Sequence, residues 1–209
     1  MVHISLYRLP RCITGSHHTN QRSVATYAER YLRGTVQVET SIKGAPMTYS
    51  IIGSGAVGTA LARQFARTGV TVGIANTRGP DSMASLANEL GNRVVPLTLQ
   101  EALKADMIIL AVPFWSHRDV AKTVATWQGK VVVDATNAYG VPLSDLDDLP
   151  SSAILAKALP GARLVKGFNH LPAAVLAQDP VTAAGRRVIF LSSDDEGATN
   201  KVAALLKAI

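Results

Sequence analysis

From residue 48 onward, apolar and polar positions follow a regular succession of periods. Residues 48–53, Thr-Tyr-Ser-Ile-Ile-Gly, read as a short buried strand. Residues 56–68 then place Val57, Leu61 and Phe65 four apart, on one face of a helix, and Gly69 follows as a stop. The same logic predicts strands over 70–75, 94–97, 107–112 and 130–135. Between them it predicts a helix opened by Pro80 and running to 90, and one over 116–127. Thr98-Leu-Gln-Glu101 reads as a capping box ahead of a short helix. After a loop over 137–150 the pattern loosens. A helix over 151–159, strands over 163–168 and 187–191, and a last helix from Asp194 complete it.

Strands alternating with helices imply an α/β fold: a doubly wound, mostly parallel sheet covered by helices on both faces. A short C-terminal part follows the regular pattern. Residues 1–46 lack this periodicity. They are rich in Arg, Ser, Thr, His and Gln, and only 27–33 suggests a short helix. The division expected is therefore a non-core extension over 1–46 and one domain over 47–209. The extension can be a disordered tail, a targeting peptide, or sequence upstream of a true start at Met47. The last is preferred, because Met47 directly precedes the first strand.

Charge changes little. The net +6 could suggest nucleic acid, but residues 1–46 carry six Lys/Arg against two Asp/Glu, and residues 47–209 carry fifteen against thirteen. The main body is nearly balanced, so no nucleic-acid partner is expected. No apolar run approaches the roughly 18 residues of a membrane helix. Cys12 is the sole cysteine, and His17-His18 has no further ligand in step, so neither a disulfide nor a metal site is expected. A cytoplasmic location is the resulting expectation.

The strongest chemical signal is Gly53-Ser54-Gly55-Ala56-Val57-Gly58. It lies between a strand and a helix, which is the context that makes G-x-G-x-x-G specific. Gly53 permits the tight turn, Gly55 lets the backbone approach a pyrophosphate, and Gly58 lets helix and strand pack closely. The helix N-terminus offers free N–H groups and partial positive charge. The second strand ends in Ala75-Asn76-Thr77-Arg78-Gly79-Pro80, with no acid before Asp81. An NAD site usually holds a carboxylate there. Thr77 can donate a hydrogen bond to a 2′-phosphate and Arg78 can pair with it, so NADP is favoured.

Further candidates end other strands, where ligands bind in open α/β sheets. Val112, Pro113 and Phe114 can wall the nicotinamide. Ser116 can cap the next helix, with His117 in its first turn. Thr136 and Asn137 follow the fifth strand, where Asp134 is expected in a structural hydrogen bond. Asn169 and His170 can touch the acceptor or the carboxamide; a structural role is equally open for each. No catalytic acid or base stands out. Tyr139 is followed at the fourth position by Leu143, which argues against the Tyr-x-x-x-Lys pair of a short-chain carbonyl dehydrogenase.

Together, Gly53 to Gly58, Ile74-Ala-Asn-Thr-Arg-Gly-Pro80, Ala111-Val-Pro-Phe114 and Val165-Lys-Gly-Phe-Asn-His170 resemble the F420-dependent NADP oxidoreductase family. The resemblance implies a Rossmann-type NADP-binding domain with a small C-terminal part over the acceptor. It implies hydride transfer between nicotinamide and a deazaflavin, coenzyme F420, or a similar ring such as a flavin. Nucleotide contacts would fall at Ser54, Ala56, Val57, Thr77, Arg78, Val112 and Asn137, with acceptor-side contacts near Asn169 and Ala173. Relatives of this kind are expected to continue past the position of Ile209 into a segment that helps close the acceptor pocket. The partner expected is a small-molecule redox acceptor, with a homodimer left open and no membrane or nucleic acid. The alternative is an NADP(H)-binding regulatory or sensor module without catalysis.

Overall fold

The computed structural model describes residues 47–183 and 185–209. The readings of residues 1–46, including Cys12, His17, His18 and the helix at 27–33, lie outside the described residues. Among the described residues no helix is long and apolar enough to cross a membrane.

Six strands pair in parallel: β1 (Tyr49–Ile52), β2 (Val72–Ala75), β3 (Val94–Pro96), β4 (Met107–Leu110), β5 (Val131–Asp134) and β6 (Arg163–Gly167). A short strand at Leu191–Ser192 joins the far edge antiparallel to β6. The spatial order is 3-2-1-4-5-6 before that edge strand. The order reverses between β1 and β4, so a crevice opens outside their carboxyl ends. This is the doubly wound α/β architecture expected.

The strands are apolar because both sheet faces are covered. Along β4, Met107 and Ile109 point into one core with Ile51, Phe65, Val131, Val133 and Val202. Ile108 and Leu110 point into the other with Ile52, Leu103, Val132 and Leu155. The first core is closed by α1 (Ala56–Thr68) and the C-terminal helix at Glu196–Ala208. Helix α1 has the bounds expected. Gly69, at φ 75°, ends it: its N–H donates to Ala66 and that of Val70 to Phe65. Val70 thus belongs to the helix cap, and β2 starts two residues later than expected.

Several elements differ from expectation. The segment opened by Pro80 is 3₁₀ over Pro80–Met83 and becomes α2 only at Ala84–Leu90. The Ser82 hydroxyl donates back to the Gly79 carbonyl, a local bond that competes with an α-turn. The capping box at Thr98 forms, but α3 spans only Leu99–Ala102. The helix expected over 116–127 is a 3₁₀ turn at Phe114–Ser116 followed by α4 at His117–Ala121. The Trp127 indole N–H donates to the Ala121 carbonyl at 3.2 Å and closes that end. The β-branched Thr123, Val124 and Thr126 add little helical preference.

Helix α5 (Ser151–Ala158) follows a 3₁₀ turn at Leu143–Leu146. The sequence reading missed α6 (Ala173–Leu176) and a hairpin of β7 (Val181–Thr182) with β8 (Gly185–Arg186). The strand expected over 187–191 is reduced to β9, the edge strand Leu191–Ser192. Its first residue is held elsewhere: the Arg187 guanidinium donates to the carbonyls of Leu176, Gln178 and Asp179. The last helix, α7 (Glu196–Ala208), is capped by the Asp195 side chain.

Candidate functional site

The loop from β1 into α1 has the form the glycine spacing requires. A side chain at Gly53, which has φ 110°, would put its Cβ 2.2 Å from the Ala111 carbonyl oxygen. At Gly58 it would lie 1.8 Å from the Gly53 carbonyl oxygen. Both positions are closed to any other residue. Gly55 is different, because a Cβ there would meet nothing within 4 Å. The space in front of Gly55 is open, and α1 begins there with no side-chain cap and no acid in its first turn. Its first-turn N–H groups, with Ala56 and Val57 among them, lack intrahelical acceptors and suit an anion. Ser54 and Gly53 enter from β1, whose end is tied to β2 by the Gly53 N–H bond to the Ala75 carbonyl, 2.7 Å.

The end of β2 is built around Asn76. Its amide donates to the Ser54 hydroxyl at 2.7 Å and to the Ser82 hydroxyl at 2.9 Å. Its oxygen accepts from the Arg78 backbone N–H at 2.8 Å. Thr77 and Arg78 are thereby turned to solvent beside the glycine loop. The Arg78 guanidinium has no ion-pair partner among the described residues. No carboxylate occupies the strand end. Sequence reasoning missed Ser82; its only signal was a hydroxyl two residues after the helix-opening proline.

At the end of β4, Val112 is half-buried against Gly53 and Pro113 is exposed. Phe114 is buried, with ring centroids 4.8 Å from Trp115 and 5.1 Å from His117. Ser116 makes no capping bond. His117 is fully buried rather than exposed at a helix start. Its Nδ1 hydrogen-bonds the Phe114 carbonyl, and Nε2 has no partner among the described residues. Burial pushes its pKa below the ordinary histidine value, so the neutral ring is favoured.

The ends of β5 and β6 are joined twice. Asp134 is fully buried; Oδ1 accepts from the Thr136 N–H at 2.9 Å and hydroxyl at 2.7 Å. Its other oxygen accepts from the Lys166 ammonium at 2.8 Å, and Lys166 also donates to the Thr136 carbonyl at 2.6 Å. Asn137 donates to the Asn169 carbonyl at 2.7 Å and accepts from the Asn169 amide at 3.3 Å. The structural bond expected of Asp134 is present. Lys166 was read only as part of a motif, though a lysine ending one apolar strand beside an aspartate ending the next was a signal. His170 is exposed, accepts from the Phe190 N–H at 3.4 Å and meets the Phe190 ring edge-on at 5.2 Å. Ala173 is half-buried at the start of α6. Among the described residues no group of three His, Cys, Asp or Glu could hold a metal ion.

The crevice thus gathers the loops after β1, β2, β4, β5 and β6 on one edge of the sheet. Residues 48–138 match the family model described as NADP oxidoreductase, coenzyme F420-dependent. That part of the chain, from β1 through β5, is similar to this family. A hypothetical protein from Sinorhizobium meliloti has a similar structure, with a TM-score of 0.74 and 45% identity over 78% of this chain and 80% of that one. A structure from Arthrobacter sp. FB24, described as an F420-dependent NADP reductase, gives 0.63 and 25% over the same shares. A glycerol-3-phosphate dehydrogenase [NAD(P)+] from Rhizobium etli is 31% identical over 177 residues, 70% of this chain and 53% of that enzyme. The chain therefore spans about half the length of that curated relative. These likenesses agree with an NAD(P)-dependent oxidoreductase family and leave the acceptor open.

Proposed function

We propose that the chain binds NADP(H) across the carboxyl ends of β1, β2, β4 and β5 and serves hydride transfer with a ring acceptor, a deazaflavin such as coenzyme F420 or a flavin. The observation that carries the nucleotide is the end of β2. Arg78 is exposed there without an ion-pair partner among the described residues, and no carboxylate opposes a 2′-phosphate. The open space at Gly55, framed by two positions that exclude a Cβ, fits a pyrophosphate.

When bound, NADPH supplies a hydride from its nicotinamide ring. The residues of this chain bind and orient. Ser54, Gly55, Ala56 and Val57 offer backbone amides to the pyrophosphate, while Gly53 and Gly58 shape the loop that presents them. Thr77 and Arg78 receive the 2′-phosphate, with Asn76 holding the turn that presents them. Val112 and Pro113 line the nicotinamide side, with Phe114 buried behind them as support. Thr136 and Asn137 approach from β5, and Asn169, His170 and Ala173 lie on the acceptor side. A hydride passing between two stacked rings needs orientation more than a proton donor, which suits a crevice with no catalytic dyad.

The test is to titrate NADPH and NADH into wild type and Arg78→Ala, then to follow NADPH oxidation with F420, FMN, ferric chelates and quinones. NADPH is expected to bind wild type at least about tenfold more tightly than NADH, a preference of roughly 1.4 kcal/mol. Arg78→Ala should lose that preference. Equal affinities in wild type overturn the NADP assignment. Binding without turnover of any acceptor favours the sensor reading.

A further inference from the structure

Lys166 and Asp134 are register partners on β6 and β5, and their side chains close on each other at the end of that pairing. The carboxylate is fully buried and the lysine side chain is 16% exposed. Such a pair is a poor source of stability, because desolvation offsets most of the attraction. Its geometry suggests a different use. The two carboxylate oxygens are divided: one holds the Thr136 N–H and hydroxyl, the other holds the ammonium. The ammonium then reaches the Thr136 carbonyl. Lys166 thus grips both ends of the turn by which the chain leaves β5.

One residue further along that turn is Asn137, which is bridged to Asn169 in both directions. Between Lys166 and Asn169 the chain passes Phe168, a buried residue with φ 64°. A bulky side chain in the left-handed region is held only where its surroundings over-determine it. The chain reversal there accompanies the placement of the Asn169 carbonyl against Asn137. The ion pair, the strained phenylalanine and the asparagine bridge form one continuous brace across the mouth of β5 and β6.

We propose that Lys166, through Asp134 and Thr136, is a positioning residue that holds the Asn137–Asn169 bridge in place before any nucleotide arrives, so that the nicotinamide and acceptor rings meet at a fixed edge. This rests on the nucleotide-binding reading above. Hydride transfer is sensitive to placement: a shift of about 1 Å can cost on the order of a hundredfold in rate.

The experiment begins with amide hydrogen exchange at Ala135 and Thr136, whose N–H groups donate to the Leu110 carbonyl and the Asp134 carboxylate, in the wild type with and without NADPH. These amides should be protected already without nucleotide, and NADPH should slow them by less than about threefold. In Asp134→Asn/Lys166→Met, which removes both charges, they should exchange about tenfold faster. The NADPH dissociation constant of that variant should stay within about threefold, while kcat with the acceptor falls about tenfold or more. Lys166→Arg, which keeps the charge, should restore part of kcat.

Fast exchange in nucleotide-free wild type that slows only on adding NADPH overturns the proposal, whether or not any variant folds. So does a double variant matching wild type in both exchange and kcat. A dissociation constant that weakens in step with kcat/KM also overturns it, since the pair would then serve binding alone. A wild type that binds no NADPH overturns the proposed function instead, and the nucleotide-free exchange still decides whether the brace is preformed.

Discussion

The side-chain amide of Asn76 lies 2.7 Å from the Ser54 hydroxyl and donates to it across the gap between β2 and the glycine loop. The same side chain accepts from the Arg78 N–H, so one residue sets both the loop that faces the pyrophosphate and the turn that presents Arg78.

Asn76→Asp should therefore change nucleotide preference without changing shape. The substitution keeps the acceptor for the Arg78 N–H, removes the donors to Ser54 and Ser82, and adds a negative charge beside the place proposed for the 2′-phosphate. NADPH affinity should fall by about tenfold or more, roughly 1.4 kcal/mol, while NADH affinity holds or improves. Titration of both nucleotides checks this. An NADPH affinity unchanged by the new charge would place the phosphate elsewhere.

Gly55 and Gly58 should respond to alanine in opposite ways. Gly55→Ala puts its methyl into open space, so thermal stability should stay within about 1 kcal/mol of wild type. Nucleotide affinity should fall about tenfold or more, because the methyl stands where the backbone must approach the phosphates. Gly58→Ala drives its methyl onto the Gly53 carbonyl and should cost about 1–3 kcal/mol of stability as well. Denaturation curves beside nucleotide titrations separate the two. Equal destabilisation by both would contradict the packing.

His117 should make stability depend on pH. Burial holds its folded pKa below the unfolded value of about 6.5, so the unfolded chain takes up a proton that the folded chain refuses. Its contribution is full above that unfolded value and is lost as pH falls below it. His117→Asn keeps a donor for the Phe114 carbonyl but cannot titrate. The stability of wild type relative to this variant should decline between pH 7.5 and 5. A difference constant over that range would mean that the ring protonates freely in the folded protein.

Asp195 should do the same at lower pH. Its carboxylate pairs with the Arg163 guanidinium at 2.6 and 2.7 Å and caps α7 through the Ala198 N–H at 2.8 Å. The arginine bonds, then the cap, hold its pKa well below the usual carboxylate range. The stability it adds is present above the unfolded value of about 3.9 and is lost as pH falls through the folded one. Asp195→Ala should cost about 1 kcal/mol near neutral pH through the cap. That cost should shrink in acid, as measured by urea unfolding at a series of pH values.

The regular part of the chain was open to reading from sequence because its signals are local. Helix α1 ended where Gly69 stops it, and the Thr98 capping box formed as its residues require. The exposed Thr77-Arg78 turn also follows from a short stretch. The misreadings came where distant groups decide. The segment after His117 ended early because the Trp127 indole caps Ala121. Residues after Arg186 did not extend as a strand because the Arg187 guanidinium is bound to carbonyls around α6.

By itself the sequence determined the alternation of strands and helices, the glycine loop and the absence of a carboxylate after β2. Each is set by backbone preference or side-chain chemistry within a few residues. Only the tertiary structure decided that His117 is buried, that Asn76 links Ser54 to Ser82, and that Lys166 meets Asp134 across 32 residues of chain. Those pairings follow from the parallel register of β5 with β6 and of β1 with β2, which brings strand ends together that nothing in their local sequence joins.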